Sequence, residues 1–147
     1  MSCASDEGSW RSENGELAVS RVAAPAPINV GSPDSATMAV YAIIANVSAT
    51  ADTLYAIETN AARSASLHGT MDHGAGKMMM TVPVFVIPPG DVVRLMPNAT
   101  HVMLEGLRLM PTPGDTVPIT FVFRRGGRVT TNASVFAYDQ MEKALAP

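Results

Sequence analysis

The 147-residue sequence has little cysteine, little charge and no long apolar run, and each shortage excludes a class of protein. With Cys3 as the single cysteine, neither an intrachain disulfide nor a zinc site built from several cysteines can form. Charged residues make up 16% of the chain and the formal net charge is −3, which argues against a nucleic-acid-binding surface. The longest apolar run, residues 38–47, is too short for a transmembrane helix.

The first residues also lack the apolar stretch of a signal peptide. This absence has two explanations: the protein is cytosolic, or an export signal has been removed from a mature form. Cys3, followed by small, polar and acidic residues, resembles the processed start of a bacterial lipid-anchored protein. A remnant of cloning explains the same residues at least as well, so both readings stay open.

What the chain does contain predicts an all-β fold. Hydrophobic residues make up 47%, and glycine and proline number 11 each, which indicates a folded domain with many turns. Short β-branched runs separated by turn-forming residues favour an antiparallel sandwich or small barrel, with a two-residue turn at Gly126-Gly127. The predicted strands are 17–21, 38–46, 54–58, 65–68, 78–82, 84–87, 92–95, 102–107, 116–123 and 128–133.

The length fits a single domain, and the character of the sequence changes near its two ends. Residues 1–16 are polar, acidic and without periodicity, which predicts a flexible N-terminal tail. We expect one β-barrel domain over residues 17–138 and a short C-terminal tail over 139–147. The only predicted helical turn, residues 140–145, lies in that last segment.

Methionine is unusually frequent, and it concentrates in one region. Seven of the ten methionines fall within forty residues, and all three histidines lie in or beside that stretch. His101 and Met103 are two residues apart, so a strand would present both on one face. Imidazole and thioether together suit Cu(I) better than metals that prefer oxygen ligands. The seven methionines are Met71, Met78, Met79, Met80, Met96, Met103 and Met110.

A simpler explanation is that these residues only pack, since methionine commonly fills gaps in cores. We prefer packing for Met38, Met96 and Met110. Strand alternation predicts that Met78 and Met80 face away from Met79. Met71 and His73, in a predicted loop, are candidates for auxiliary ligands, for a gate or for exposed residues without a metal role.

The spacing H-x10-M-x21-H-x-M, formed by His68, Met79, His101 and Met103, resembles the signature of the extracytoplasmic copper chaperone family PCuAC. The segments LHGTMDHGAGKMMMTVPVFVIPPGDVVRLMPNATHVMLEGL and GDTVPITFVF are also similar to that family. The resemblance extends from about Leu17 to Tyr138. The chain departs from the family pattern at APAPINVGSPDSAT, which has extra residues, and at GAGKMMM.

The resemblance implies a cupredoxin-like Greek-key β-sandwich or barrel that carries one Cu(I) and is not an enzyme. It implies His68, Met79, His101 and Met103 as the ligands, with Cu(II) at a secondary site left open. The implied partner is a copper-accepting protein, either the cytochrome c oxidase subunit with the dinuclear copper centre or a Sco-type chaperone. We expect a monomer in the periplasm or on the outer face of the cell membrane, with Cys3 as the candidate lipid anchor.

Three alternatives compete with a copper carrier. An electron-transfer cupredoxin needs a cysteine thiolate in a His2Cys set, and the chain has none after Cys3. A copper-resistance or storage protein would bind several copper ions through the additional methionines. A β-sandwich interaction module with methionines in its core would not bind Cu(I). A hydrolase is disfavoured because the sequence offers no nucleophile with a base and no paired carboxylates.

Overall fold

A computed structural model describes residues 9–27, 36–72, 77–82, 84–96 and 100–137 of the chain. These residues form eleven β-strands and no helix, which confirms the all-β prediction. The strands are β1 (Ser9–Arg11), β2 (Leu17–Pro25), β3 (Thr37–Asn46), β4 (Asp52–Glu58), β5 (Ala62–Asp72), β6 (Lys77–Val82), β7 (Phe85–Ile87), β8 (Val92–Leu95), β9 (His101–Leu107), β10 (Thr116–Phe123) and β11 (Gly127–Phe136).

The strands pair in the order β6-β5-β9-β3-β2-β11-β10-β4-β7, with β1 added to β2 and β8 added to β3. Strand β11 runs parallel to β2, and the other pairs among the described residues are antiparallel. In this order β9 lies between β3 and β5, which come from distant parts of the chain. The non-local pairing of these three strands determines which side chains can meet at the candidate site.

One face of the curved sheet encloses the hydrophobic core. Strand alternation sends Val40, Val102 and Leu104 to this face, where none of them is exposed to solvent. Each apolar side chain of this size contributes about 1.5–3 kcal/mol when fully buried. The largest fully buried side chains are Phe121, Phe123, Leu17, Ile44, Leu54, Ile87, Leu95, Leu104, Leu107 and Ile119.

A buried carboxylate holds the hairpin between β10 and β11. Asp52 accepts hydrogen bonds from the backbone N–H groups of Thr53 at 2.7 Å and of Arg125 and Gly126 at 2.9 Å each. Phe123 pairs with Gly127, so the loop is the three residues 124–126, and the predicted two-residue turn at Gly126-Gly127 is wrong in both length and position. Gly127 opens β11 with φ of 81°, the left-handed glycine expected after a three-residue hairpin loop.

Each predicted strand has a counterpart in the structure, and the largest differences lie near the candidate site and at the N-terminus. Strand β5 continues to Asp72, four residues past the predicted end at His68, because it pairs with β6 along that extension. Strand β1 lies within the segment 1–16 that was predicted as a tail, and it pairs with β2. The predicted helical turn 140–145 lies outside the described residues, and the domain limits remain a prediction.

Candidate metal centre

The pairing of β5 with β9 brings two of the predicted ligands face to face. His68 is directly opposite His101 in the antiparallel register. Directly opposite residues project from the same face of a sheet. The two imidazole centroids are 6.3 Å apart and their planes are inclined by 38°. Two histidines separated by 32 residues in the chain are therefore neighbours on one face.

Met103 joins this face from the same strand as His101. It is two residues further along β9 and stands opposite Ser66 of β5 and Ala39 of β3. Met103 is half-buried. The intervening Val102 points to the opposite face and is fully buried in the core. The candidate site consequently lies on the face of the sheet that is turned away from the hydrophobic core.

The two histidines have different surroundings. His101 is only 4% exposed, and its imidazole meets the ring of Tyr41 edge-on, with centroids 5.9 Å apart and planes inclined by 64°. His68 is half-buried, and its Nε2 lies 3.0 Å from Oγ of Ser66. Hydrogen bonds of this kind select the tautomer and orientation of an imidazole that binds a metal. The histidine contacts thus restrain the orientation of both rings.

The fourth predicted ligand, Met79, lies in β6, and the pairing of β6 with β5 shows to which face of the sheet its position belongs. Met79 pairs with Thr70, two residues from His68, so its register position belongs to the same face as His68. The neighbouring Met80 pairs with Gly69, a position of the opposite face. The register is therefore consistent with the predicted alternation along the methionine triplet. That Met79 binds a metal remains a prediction.

The other histidine and methionine residues considered in the sequence lie in four different places. Met71 lies in β5, opposite Met78 of β6, and not in the loop that the sequence predicted. His73 lies outside the described residues. Met38 is 2% exposed in the core and Met110 packs against the core, which confirms packing for these two. Met96 is half-buried at the end of β8.

The donors that the described residues bring together carry no formal negative charge. Glu105 is the next residue on the same face of β9, and Oγ of Ser64 donates a hydrogen bond of 3.4 Å to its carboxylate. Among the described residues, no group of three or more His, Cys, Asp or Glu side chains could hold a metal ion. Met103 shares the face of His68 and His101 and offers a thioether, a soft donor that favours Cu(I).

Sequence reasoning missed two residues beside the histidines, Tyr41 and Ser66. Tyr41 stands in an ordinary hydrophobic strand pattern, and Ser66 in a run of small and polar residues. Neither pattern signals a contact with histidine, because each contact depends on strand pairing or on the direction of a side chain.

Solved structures of copper proteins share this fold. A copper-bound PCuAC domain from PmoF2 is 22% identical, with a TM-score of 0.72, covering 88% of this chain and 97% of that one. An apo PCuAC domain from PmoF1 is 25% identical, with a TM-score of 0.71, covering 88% and 98%. The solution structure of CuI-DR1885 from Deinococcus radiodurans is 29% identical, with a TM-score of 0.60, covering 80% and 77%.

These likenesses confirm the cupredoxin-like fold and the resemblance to the PCuAC family. No curated protein matches the chain. Within the described ranges, no helix is long and apolar enough to cross a bilayer. The model of the LpqE-like lipoprotein family matches residues 17–135, which include both histidines and Met103. The chain belongs to the LpqE-like family, which is of the PCuAC type.

Proposed function

We propose that the protein is a copper metallochaperone that carries one Cu(I) on His68, Met79, His101 and Met103 and is not an enzyme. One observation carries the proposal: His68 and His101 stand directly opposite each other, and Met103 shares their face of the sheet. The register position of Met79 on the same face supports it as the fourth ligand.

The donor chemistry fits a carrier. Two imidazoles and two thioethers are soft or borderline ligands that suit Cu(I). Thioethers form no disulfides, so the site remains competent in an oxidising compartment where a pair of cysteines would be consumed. Because all four ligands are neutral, no strong anion holds the metal. The ion can then pass to an acceptor by stepwise exchange of ligands.

The structural neighbours support copper as the cargo, since one is copper-bound and another is described as CuI-DR1885. The acceptor would be the cytochrome c oxidase subunit with the dinuclear copper centre, or a Sco-type chaperone. The protein would act as a monomer in the periplasm or on the outer face of the membrane. Membership of a lipoprotein family supports that location and makes Cys3 the candidate anchor.

One observation favours copper storage as a second candidate. Met71 pairs with Met78 in the β5–β6 ladder, a second pair of methionine positions on the register face opposite to that of His68 and Met79. With His73 these residues could form an additional site for Cu(I) or Cu(II). A storage protein would then bind several copper ions, whereas a carrier needs one.

The experiment that tests the proposal is anaerobic titration with Cu(I) against a chromogenic chelator, followed by mixing with an acceptor. The acceptor is the isolated soluble domain of an oxidase subunit that contains the dinuclear centre, in its apo form. We expect one tightly bound Cu(I) and its transfer to the acceptor. Binding of two or more equivalents with retention of copper would favour storage, and no binding would refute both functions.

A further inference from the structure

Tyr41 belongs to a small cluster of side chains on the same face of the sheet as the candidate ligands. Tyr41 and Ala23 are buried there, and Ala39 and Phe136 pack against them. This tyrosine cluster is separate from the main hydrophobic core. Ala39 is directly opposite Met103, and Tyr41 follows it by two residues. The cluster is therefore contiguous with the candidate site.

The contact between Tyr41 and His101 is specific in its geometry. Tyr41 is 7% exposed, and its ring meets the imidazole of His101 at 5.9 Å in an edge arrangement of 64°. Edge-to-face packing is a favoured geometry for aromatic rings and restrains both of them. The half-buried His68 has a different restraint, the hydroxyl of Ser66. Tyr41 is thus one neighbour that restrains the imidazole of His101.

A bulge in β2 lies next to Tyr41. Ser20 pairs with Ile43 and Ala23 pairs with Tyr41. Between these two pairs, β2 advances by three residues and β3 by two. A regular ladder would place Val22 opposite Tyr41. The bulge instead puts the small Ala23 there and leaves Val22 in the main core. Bulges re-aim side chains in this way and are common next to functional sites.

The bulge carries backbone strain. Arg21 has φ of 51°, a left-handed conformation that residues other than glycine rarely adopt. Such strain persists only where the surrounding structure enforces it. Here the bulge places Ala23 opposite Tyr41, the residue whose ring contacts the imidazole of His101.

We infer that Tyr41 is a positioning residue that holds the imidazole of His101 in the orientation needed for Cu(I), an inference that rests on the proposed function. Its aromatic ring acts on the imidazole and makes no bond to copper. Neighbours that orient a metal ligand typically change metal affinity 10–100-fold when they are lost. The ring orientation of His101 can be measured in the apo protein, separately from the affinity for Cu(I).

The test uses three variants of the full chain. Tyr41→Leu removes the ring, Tyr41→Phe keeps it, and Tyr55→Leu is the matched control. Tyr55 lies on β4, is 44% exposed and contacts Arg124, with no contact to the candidate ligands among the described residues. Thermal unfolding of each apo protein identifies any variant that fails to fold.

Two readouts are needed, Cu(I) affinity by chelator competition and the imidazole proton resonances of His101 in the apo protein. We expect Tyr41→Leu to lose about tenfold or more in affinity and to shift the His101 resonances. Tyr41→Phe should remain close to wild type in affinity, and Tyr55→Leu should match wild type in both readouts.

Wild-type affinity and unshifted His101 resonances in Tyr41→Leu would overturn the inference. A Tyr41→Phe variant as weak as Tyr41→Leu would overturn it as well, because the hydroxyl would then be responsible. Failure of the wild type to bind Cu(I) would refute the proposed function and the inference together. If the wild type binds Cu(I) and Tyr41→Leu equals it in Cu(I) affinity and in the His101 resonances, the inference is refuted and the proposed function is not.

Discussion

The sharpest prediction compares two methionines that lie close together on opposite faces of the sheet. Met103 faces the candidate site and stands opposite Ala39 of β3. Met38 is the neighbour of Ala39, pairs with Leu104 and is 2% exposed in the core. Met103→Leu and Met38→Leu therefore make the same chemical change, loss of a thioether, at adjacent positions of one strand pair.

The expected changes in folding stability and in Cu(I) affinity follow from the chemistry of each position. Exchange of methionine for leucine nearly conserves volume and should cost about 1.5 kcal/mol or less of folding stability at either position. Only Met103→Leu removes a proposed donor to copper. Even the loss of an outer neighbour of a metal ligand costs 10–100-fold in affinity. We expect at least about a hundredfold loss of Cu(I) affinity from Met103→Leu, which corresponds to about 2.7 kcal/mol at 1.36 kcal/mol per decade.

The assay is competition with a chromogenic Cu(I) chelator under anaerobic conditions, with urea unfolding of the apo proteins as the stability measurement. Met38→Leu should keep wild-type Cu(I) affinity. Equal affinities of the two variants would remove Met103 from the site. A large loss in Met38→Leu with none in Met103→Leu would show that the site lies on the other face.

Three further predictions test the site and the fold. In the same competition assay, Met79→Leu should lose Cu(I) affinity strongly, whereas Met78→Leu and Met80→Leu should lose little. Of these three methionines, Met79 is the one that shares the register face of His68. Equal losses in the three variants would favour a cluster that binds several copper ions. Asp52→Ala should lower the free energy of unfolding in urea by about 3 kcal/mol, because the N–H groups of the 124–126 loop lose their acceptor at a buried site. Its Cu(I) affinity should be unchanged, because β4 does not contribute to the site; a loss of affinity would contradict this. Cu(I) affinity should fall as the pH drops, because protons compete with the metal for imidazole nitrogens and not for thioethers. An affinity that stays constant over the whole pH range in which the protein is folded would contradict imidazole ligands.

Local patterns in the sequence were enough to predict most strands, because β-branched runs and turn residues act over short distances. They failed at the end of β5, where the run from Gly69 to Asp72 has the composition of a turn and becomes a strand through pairing with β6. They also failed at the β10–β11 hairpin. There the carboxylate of Asp52, more than seventy residues away in the chain, holds the loop.

In the candidate site too, local sequence patterns predicted some features, and the others depend on the pairing of distant strands. The i and i+2 spacing of His101 and Met103 placed these two on one face from sequence alone. The position of His68 opposite His101 depends on the register of two distant strands. In the sequence, the resemblance to PCuAC implied His68 as a ligand but did not give this register. Tyr41 could not be predicted at all, because its contact with His101 depends on the pairing of β3 with β9.

X-ray absorption at the copper edge of the Cu(I)-loaded wild-type protein tests the central claim most directly. The measurement counts the nitrogen and sulfur atoms bound to the metal without any substitution in the chain. The proposed site of His68, Met79, His101 and Met103 predicts one copper per chain with two nitrogen and two sulfur neighbours. A first shell of nitrogen and oxygen alone, or one with sulfur and no nitrogen, would contradict it.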